Sequence, residues 1–90
     1  MYSIYIIQSK INGKYYIGYS SDVHRRLNEH NLGKTRSTSP YKPWTLVFVK
    51  NCESKRNARQ IELKVKKMKS HAFINRLINN KIDEAFYKTY

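Results

Sequence analysis

Five side chains in this sequence have types and spacings that could act together on a phosphate: Tyr5, Tyr16, Arg26, His30 and Glu62. Tyr5 and Tyr16 sit in two alternating stretches, Tyr2 to Ile7 and Tyr15 to Ser20, joined through Asn12-Gly13, a strong hairpin signal. A two-residue turn there sets Ile7 opposite Gly18, Tyr5 opposite Ser20 and Ser9 opposite Tyr16. Tyr5, Tyr16 and Gly18 then share one face. The two phenols are separated by four residues along the strands, ~13 Å at ~3.3 Å per residue, and must lean inward to meet one group. Gly18 removes a side chain between them, which opens a groove for a phosphate. Most tyrosines at strand positions are structural, so the pairing matters more than either residue.

Arg26 and His30 lie four apart on an expected helix and project from one side, suited to clamp a phosphate and carry a proton. Each also has a plainer reading, as a solvated helix residue and a helix-end residue favoured by the dipole. Glu62 stands among Lys55, Arg56, Arg59, Lys64, Lys66, Lys67 and Lys69, beside an apolar helix stripe. A lone carboxylate in that basic field could hold one Mg²⁺ whose other ligands are water and phosphate. It could equally form an i,i+4 pair with Lys66.

Composition narrows the chemistry. The 90 residues include 18 Lys and Arg against 6 Asp and Glu, a formal net charge of +12. Such charge opposes compaction and calls for an anionic partner, with nucleic acid the default and a membrane surface the rival. The acids are Asp22, Glu29, Glu53, Glu62, Asp83 and Glu84, too few and too scattered for a two-metal site or a glycosidase pair. No Ser-His-Asp spacing, phosphate-binding Walker loop or dinucleotide fingerprint is present. Cys52 is the sole cysteine, which excludes an internal disulfide and a cysteine zinc site. The longest apolar runs are strand-length and Gln8 interrupts the first, so neither a membrane span nor a signal peptide is expected. The expectation is a cytoplasmic protein.

The remaining elements must position these groups. Asp22 (or Ser21) caps the first helix, Val23 and Leu27 form its stripe, and Asn31-Leu32-Gly33 stops it. Gly33 to Pro43 reads as a flexible basic loop in which Lys34, Arg36 and Lys42 could meet a nucleic-acid backbone. Trp44 to Lys50 is apolar on both faces and reads as a buried third strand. Ser54 caps a second helix to about Lys69 with Ala58, Ile61, Val65 and Met68 inward, and a third helix runs from Ser70 to about Asn79, burying Phe73, Leu77 and Ile74. Residues 1–80 form one domain; 81–90 is a tail with no clear element, a candidate for disorder.

Ser3-Ile4-Tyr5, Tyr16-Ile17-Gly18, Arg26 with His30, and Glu62, in that order, resemble the GIY-YIG nuclease family. The likeness spans roughly residues 2–70 and is closest to small stand-alone members, similar to the nuclease domains of Slx-type endonucleases and of excinucleases. Either half of the name motif is weak alone; the ordered set is specific. The resemblance implies an α+β fold, a three-stranded antiparallel sheet flanked by about three helices. It also implies phosphodiester hydrolysis with one divalent ion, Mg²⁺ or Mn²⁺, and a role in DNA repair. Carried over by position, Tyr5 and Tyr16 are the motif tyrosines, Arg26 the catalytic arginine and Glu62 the metal ligand, with His30 at a histidine-or-tyrosine position. Ser3 replaces the first glycine of the motif, and Tyr19 stands where some members have lysine.

The leading expectation is an endonuclease acting on DNA rather than RNA. In it Glu62 holds the metal, Tyr16 is the general base, Arg26 stabilises the transition state, and Tyr5 orients the nucleophile or phosphate. Lys34, Arg36, Lys42, Arg59 and Lys66 would hold the strand, and a protein partner could supply specificity. The rivals are a non-catalytic adaptor of the same fold, and a subunit docking through Tyr41, Phe86, Tyr87 and Tyr90.

Overall fold

The computed structural model describes residues 1–88. Isoleucine- and tyrosine-rich segments build β1 (Ser3–Ser9) and β2 (Tyr15–Ser20), and a third strand, β3 (Trp44–Asn51), completes an antiparallel sheet in the order β2-β1-β3. Between β2 and β3 lies α1 (Val23–Asn31); α2 (Lys55–Met68) and α3 (His71–Ile78) follow β3. The α+β architecture is the expected one. All three helices start where a side chain supplies the missing acceptor: Asp22 takes the Arg25 N–H, Ser54 the Asn57 N–H and Ser70 the Phe73 N–H.

The centre of the sheet is β1, which is why Ile4, Tyr5, Ile6 and Ile7 are all buried. On one face Ile4, Ile6 and Ile17 pack with Ala58, Ile61 and Val65 of α2 and Leu77 of α3. On the other, Tyr5, Ile7 and Trp44 pack with Tyr16, Val23 and Leu27. Burial on both faces belongs to β1 and not to the expected β3. The latter is an edge strand, with a bulge at Val47 opposite the Ile6–Ile7 step and Val49 exposed on its outer part. Met68, expected inward, is also exposed, at the last residue of α2.

The hairpin register differs from the expected one by two residues. Tyr5 is opposite Gly18, Ile7 opposite Tyr16 and Ser3 opposite Ser20. The turn holds four residues, not two: Ser9 N–H donates to Lys14 O at 2.8 Å and Gly13 N–H to Ser9 O at 3.0 Å. Ser9 Oγ accepts from the Ile11 and Asn12 amides, so Asn12 stays out of the left-handed region and only Gly13, at φ +75°, enters it. A shift of two preserves facing, so Tyr5, Tyr16 and Gly18 still share a side.

Two further segments are more ordered than their composition suggested. The 33–43 loop contains a 3-10 turn, Ser39–Tyr41, and its Thr38 is buried. Asn31 clamps the end of the loop, accepting from Trp44 N at 2.6 Å and donating to Trp44 O at 3.1 Å. In residues 81–88, Glu84–Tyr87 form another 3-10 turn. Asn57 donates to Tyr87 O at 3.0 Å, Lys50 pairs with Glu84 at 2.6 Å, and Phe86 and Tyr87 lie partly buried on the core. Tyr41 is likewise packed beneath Lys14, so these three aromatics are not free docking groups; Tyr90 lies outside the described residues. Among the described residues no helix is long and apolar enough to cross a membrane.

Candidate active site

Because Tyr5 stands opposite Gly18, its ring crosses the space a side chain there would fill. A Cβ at Gly18 would sit 2.6 Å from Tyr5 Oη and 2.8 Å from Cζ. The gap expected to admit a phosphate is occupied by the Tyr5 phenol. With Gly18 rather than Ser20 opposite Tyr5, Tyr16 is offset from Tyr5 by two residues along the strands instead of four, so the long lean required by the expected register is halved.

From the neighbouring layer α1 delivers His30, fully buried, with its ring edge-on to Tyr16 at 5.0 Å between centroids. Tyr5 Oη lies 3.0 Å from His30 Nε2, and His30 Nδ1 lies 2.8 Å from Thr38 Oγ1. Thr38 Oγ1 donates to Thr35 O at 3.3 Å, which leaves its oxygen to accept from Nδ1–H. Nε2 of a neutral imidazole is then the acceptor for the Tyr5 hydroxyl. Trp44 Nε1 donates to Thr38 O at 3.0 Å and closes the chain behind His30. Every buried side-chain polar atom among the described residues has a partner.

Protonation follows from this packing. Burial, joined by the Arg26 charge, pushes the His30 pKa below its ordinary value and keeps the ring neutral. Burial, with Tyr16 adding to it and Arg26 opposing, raises the Tyr5 phenol, which therefore remains a donor. Arg26 is held charged chiefly by its hydrogen bond to Glu29, 2.7 Å from Nη1 to Oε1, and it also meets the Tyr5 hydroxyl. Glu29 takes Arg25 as well, at 2.9 Å, so it anchors guanidinium groups and is not a spare ligand.

A pH effect on stability results. The folded state disfavours His30 protonation, so the unfolded chain binds the extra proton first as pH falls below about 6.5. Stability is complete above that value and declines below it. The Glu29 pKa is lowered by Arg26, and its contribution is lost only further down, in the carboxylate range. Urea unfolding at pH 7.5 and 5.5 should show a lower midpoint at the acid value, and His30→Gln should flatten the difference. An equal slope in the variant would remove His30 as its source.

Glu62 stands on α2, which packs against the other sheet face, and it is linked to Tyr16 through Lys66. Its side chain is 13% exposed, and Lys66 Nζ lies 3.4 Å from Oε2 and 5.8 Å from the centre of the Tyr16 ring. Glu62 also contributes to the electrostatic environment of Tyr5. The structure therefore gathers Tyr5, Arg26, His30 and Tyr16 closely and sets Glu62 at their rim, with the i,i+4 partner also expected for it. Arg59 and Lys66 share the Glu62 face of α2, by spacing, and both are exposed. Lys34, Arg36 and Lys42 are exposed on the loop after α1.

Three of the four remaining acids are occupied: Asp22 and Asp83 cap helical turns, and Glu84 pairs with Lys50. Among the described residues no three of His, Cys, Asp and Glu cluster. One carboxylate beside a basic surface suits a hard cation that keeps most of its water. Thr38 and Trp44 are the contributors that sequence reasoning missed. Their signal was weak: Thr38 lies in a polar stretch indistinguishable from solvated loop, and only the bulk of Trp44 hinted that something must be anchored.

Comparison with known proteins identifies the family and fold. Residues 1–76 match the family described as the GIY-YIG catalytic domain. The chain is 36% identical over 87 residues to the UPF0213 protein YazA of Bacillus subtilis, covering 92% of this chain and 85% of that protein. It is 36% identical over 69 residues to the UPF0213 protein VNG_2274C of Halobacterium salinarum, covering 76% and 88% respectively. The solution NMR structure of the UPF0213 protein BH0048 from Bacillus halodurans superposes with a TM-score of 0.57 at 32% identity, over 99% of this chain and 95% of that one. The motif tyrosines on one sheet face, the arginine and histidine of α1 and the match over most of the chain lead to one conclusion: this protein belongs to the GIY-YIG family, with a fold shared by the small UPF0213 proteins.

Proposed function

We propose that this chain is a metal-dependent endonuclease that hydrolyses phosphodiester bonds in DNA. The observation that carries the reading is the hydrogen-bonded line from Tyr5 through neutral His30 to Thr38, with Arg26 on the phenol and Tyr16 against the imidazole. A buried polar chain of this kind is demanding to satisfy, and here it presents one partly exposed phenol and one guanidinium at a common rim.

Glu62 is the residue that would hold one Mg²⁺ or Mn²⁺. When bound, such an ion supplies charge stabilisation at the phosphoryl and leaving oxygens. Arg26, kept charged by Glu29, binds the scissile phosphate and stabilises the charge that grows on it. Tyr16 is the general base, accepting a proton from the attacking water at its phenolic oxygen. Tyr5 stays protonated and positions Arg26, while His30 and Thr38 fix the direction of the Tyr5 hydroxyl. The exposed lysines and arginines hold the strand.

The test is cleavage of flap, junction and duplex DNA with Mg²⁺ or with chelator. Tyr16→Phe should slow metal-dependent cleavage by ~100-fold or more, the usual scale for a general base, with the thermal midpoint unchanged. Product formation that is indifferent to chelator, or to Tyr16→Phe, would reject this mechanism.

The Glu62–Lys66 contact at 3.4 Å favours a second reading, a binding adaptor in which Glu62 only pairs with its helix neighbour. That adaptor would bind DNA equally with and without Mg²⁺ and would never nick it.

A further inference from the structure

Beside the candidate active site lies a hollow that the endonuclease reading does not use. The start of β2 faces the corner where α2 gives way to α3, and between them is a cavity of about 430 Å³. That is within the size range of small-ligand sites, roughly 300–1,000 Å³. The corner is sharp because Lys69 ends α2 in the left-handed conformation, at φ +46°, and Ser70 immediately restarts the chain as the cap of α3. Glycine takes that conformation more readily, so a lysine there places a cation on the wall of the hollow at some backbone cost.

The lining has two kinds of chemistry. Buried Ile17 and Val65 form part of an apolar floor, and the Tyr15 and His71 rings stand together with centroids 4.6 Å apart. Lys14, Lys66 and Lys69 surround these rings, and no carboxylate lines the cavity. Tyr16 and Lys66 line this hollow, and Lys66 also pairs with Glu62, so the hollow and the candidate site share these two residues across the β2 edge.

We propose that this hollow is a subsite for one unstacked nucleotide of a single strand, its base resting on the Tyr15–His71 rings and its phosphates meeting Lys14 and Lys69. A paired base is stacked on its neighbours and cannot enter; a base in a flap, gap or loose end can. Aromatic platforms ringed by cations are sequence-tolerant readers of single strands, because every base has a π-face and every nucleotide a phosphate. Only the placement of this nucleotide beside the cut rests on the endonuclease reading; the binding itself does not.

The experiment uses the full chain with chelator present, so that binding is measured apart from cleavage. The probes are a single-stranded DNA oligonucleotide carrying 2-aminopurine and a blunt duplex of the same length. Wild type should quench the fluorescence of the single strand. His71→Ala, at an exposed position, and Tyr15→Leu, which keeps apolar packing on the core, should each weaken single-strand binding by ~10-fold, the scale of one lost stacking contact, and change duplex binding less than about twofold. Lys69→Gln should lower the salt slope on the single strand by about 0.7. Far-UV circular dichroism checks folding, and His71→Ala alone decides if Tyr15→Leu unfolds. Equal losses on both substrates, or no loss in His71→Ala, would overturn the subsite. Cleavage by wild type, scored separately with Mg²⁺, reports on the nuclease reading whichever way the binding falls.

Discussion

Glu62→Gln should abolish Mg²⁺-dependent cleavage, with the rate falling by on the order of 1,000-fold, while affinity for DNA in chelator stays the same or tightens slightly. The size follows from what a bound cation contributes to a phosphoryl transition state, several kcal/mol, at about 1.4 kcal/mol per factor of ten. The opposite sign for affinity follows from charge: the substitution removes a negative group from a strongly basic face, and phosphate binding can only gain. Folding should be untouched. Glu62 pairs with Lys66, whose side chain is 47% exposed, and a helix pair of that kind contributes only ~0.3–0.5 kcal/mol. The informative measurement is therefore a parallel set of cleavage rates, chelator binding curves and thermal midpoints. Activity persisting at the wild-type rate would show that this carboxylate holds no essential metal. A matched loss of rate and thermal midpoint would instead mark Glu62 as structural.

The second large effect is expected at Gly18, a position with no chemistry of its own. In Gly18→Ala the new methyl would meet Tyr5 Oη at 2.6 Å and Cζ at 2.8 Å. The phenol cannot retreat easily: Tyr5 is 1% exposed, and its hydroxyl is held by His30 at 3.0 Å. Overpacking of this sort costs about 1–3 kcal/mol, with a further loss if the Tyr5–His30 bond breaks. For a domain of this size each kcal/mol corresponds to ~4–8 °C in the thermal midpoint. Tyr5→Phe removes the atom that clashes most, at the expense of leaving His30 Nε2 without its donor. The double variant should therefore lose less stability than the sum of the two single variants, by at least ~0.5 kcal/mol in urea unfolding. Strict additivity would mean that the Tyr5 ring does not lie across Gly18 in solution. Cleavage should also fall in Gly18→Ala, because Arg26 meets the phenol that would be displaced.

These two positions illustrate how unevenly the site could be read in advance. Glu62 was visible as a lone acid in a basic helix, and the spacing of Arg26 and His30 placed them on one side of α1. The facing of Tyr5, Tyr16 and Gly18 was also readable, since strand alternation has period two and survives an even slip. Their actual distance was not. It depended on whether the turn took two residues or four, and that was decided by Ser9 Oγ accepting two loop amides, a local competition that an Asn-Gly signal does not reveal. Gly18 was consequently read as an opening when it is the seat of the Tyr5 ring.

Trp44 to Val49 shows a different failure. Its apolar character on both faces suggested a strand buried on both sides, but β1, at the centre of the sheet, is that strand. The apolar residues of β3 serve another purpose: Trp44 is buried against Tyr16 and the 33–43 loop. A hydrophobic run states that burial is needed and not which layer supplies it.

Period, capping residues and charge act between near neighbours in the chain. For that reason the sequence alone was enough to determine the order of strands and helices, the helix starts at Ser21 or Asp22, at Ser54 and at Ser70, the basic character of the molecule and the family motif. The sheet order, the two-residue register shift, the burial of Thr38 behind His30 and the hollow between β2 and the α2–α3 corner were decided only by the tertiary structure. Each depends on groups far apart in the chain competing for the same space or the same hydrogen bond, and the winner is set by packing over the whole core.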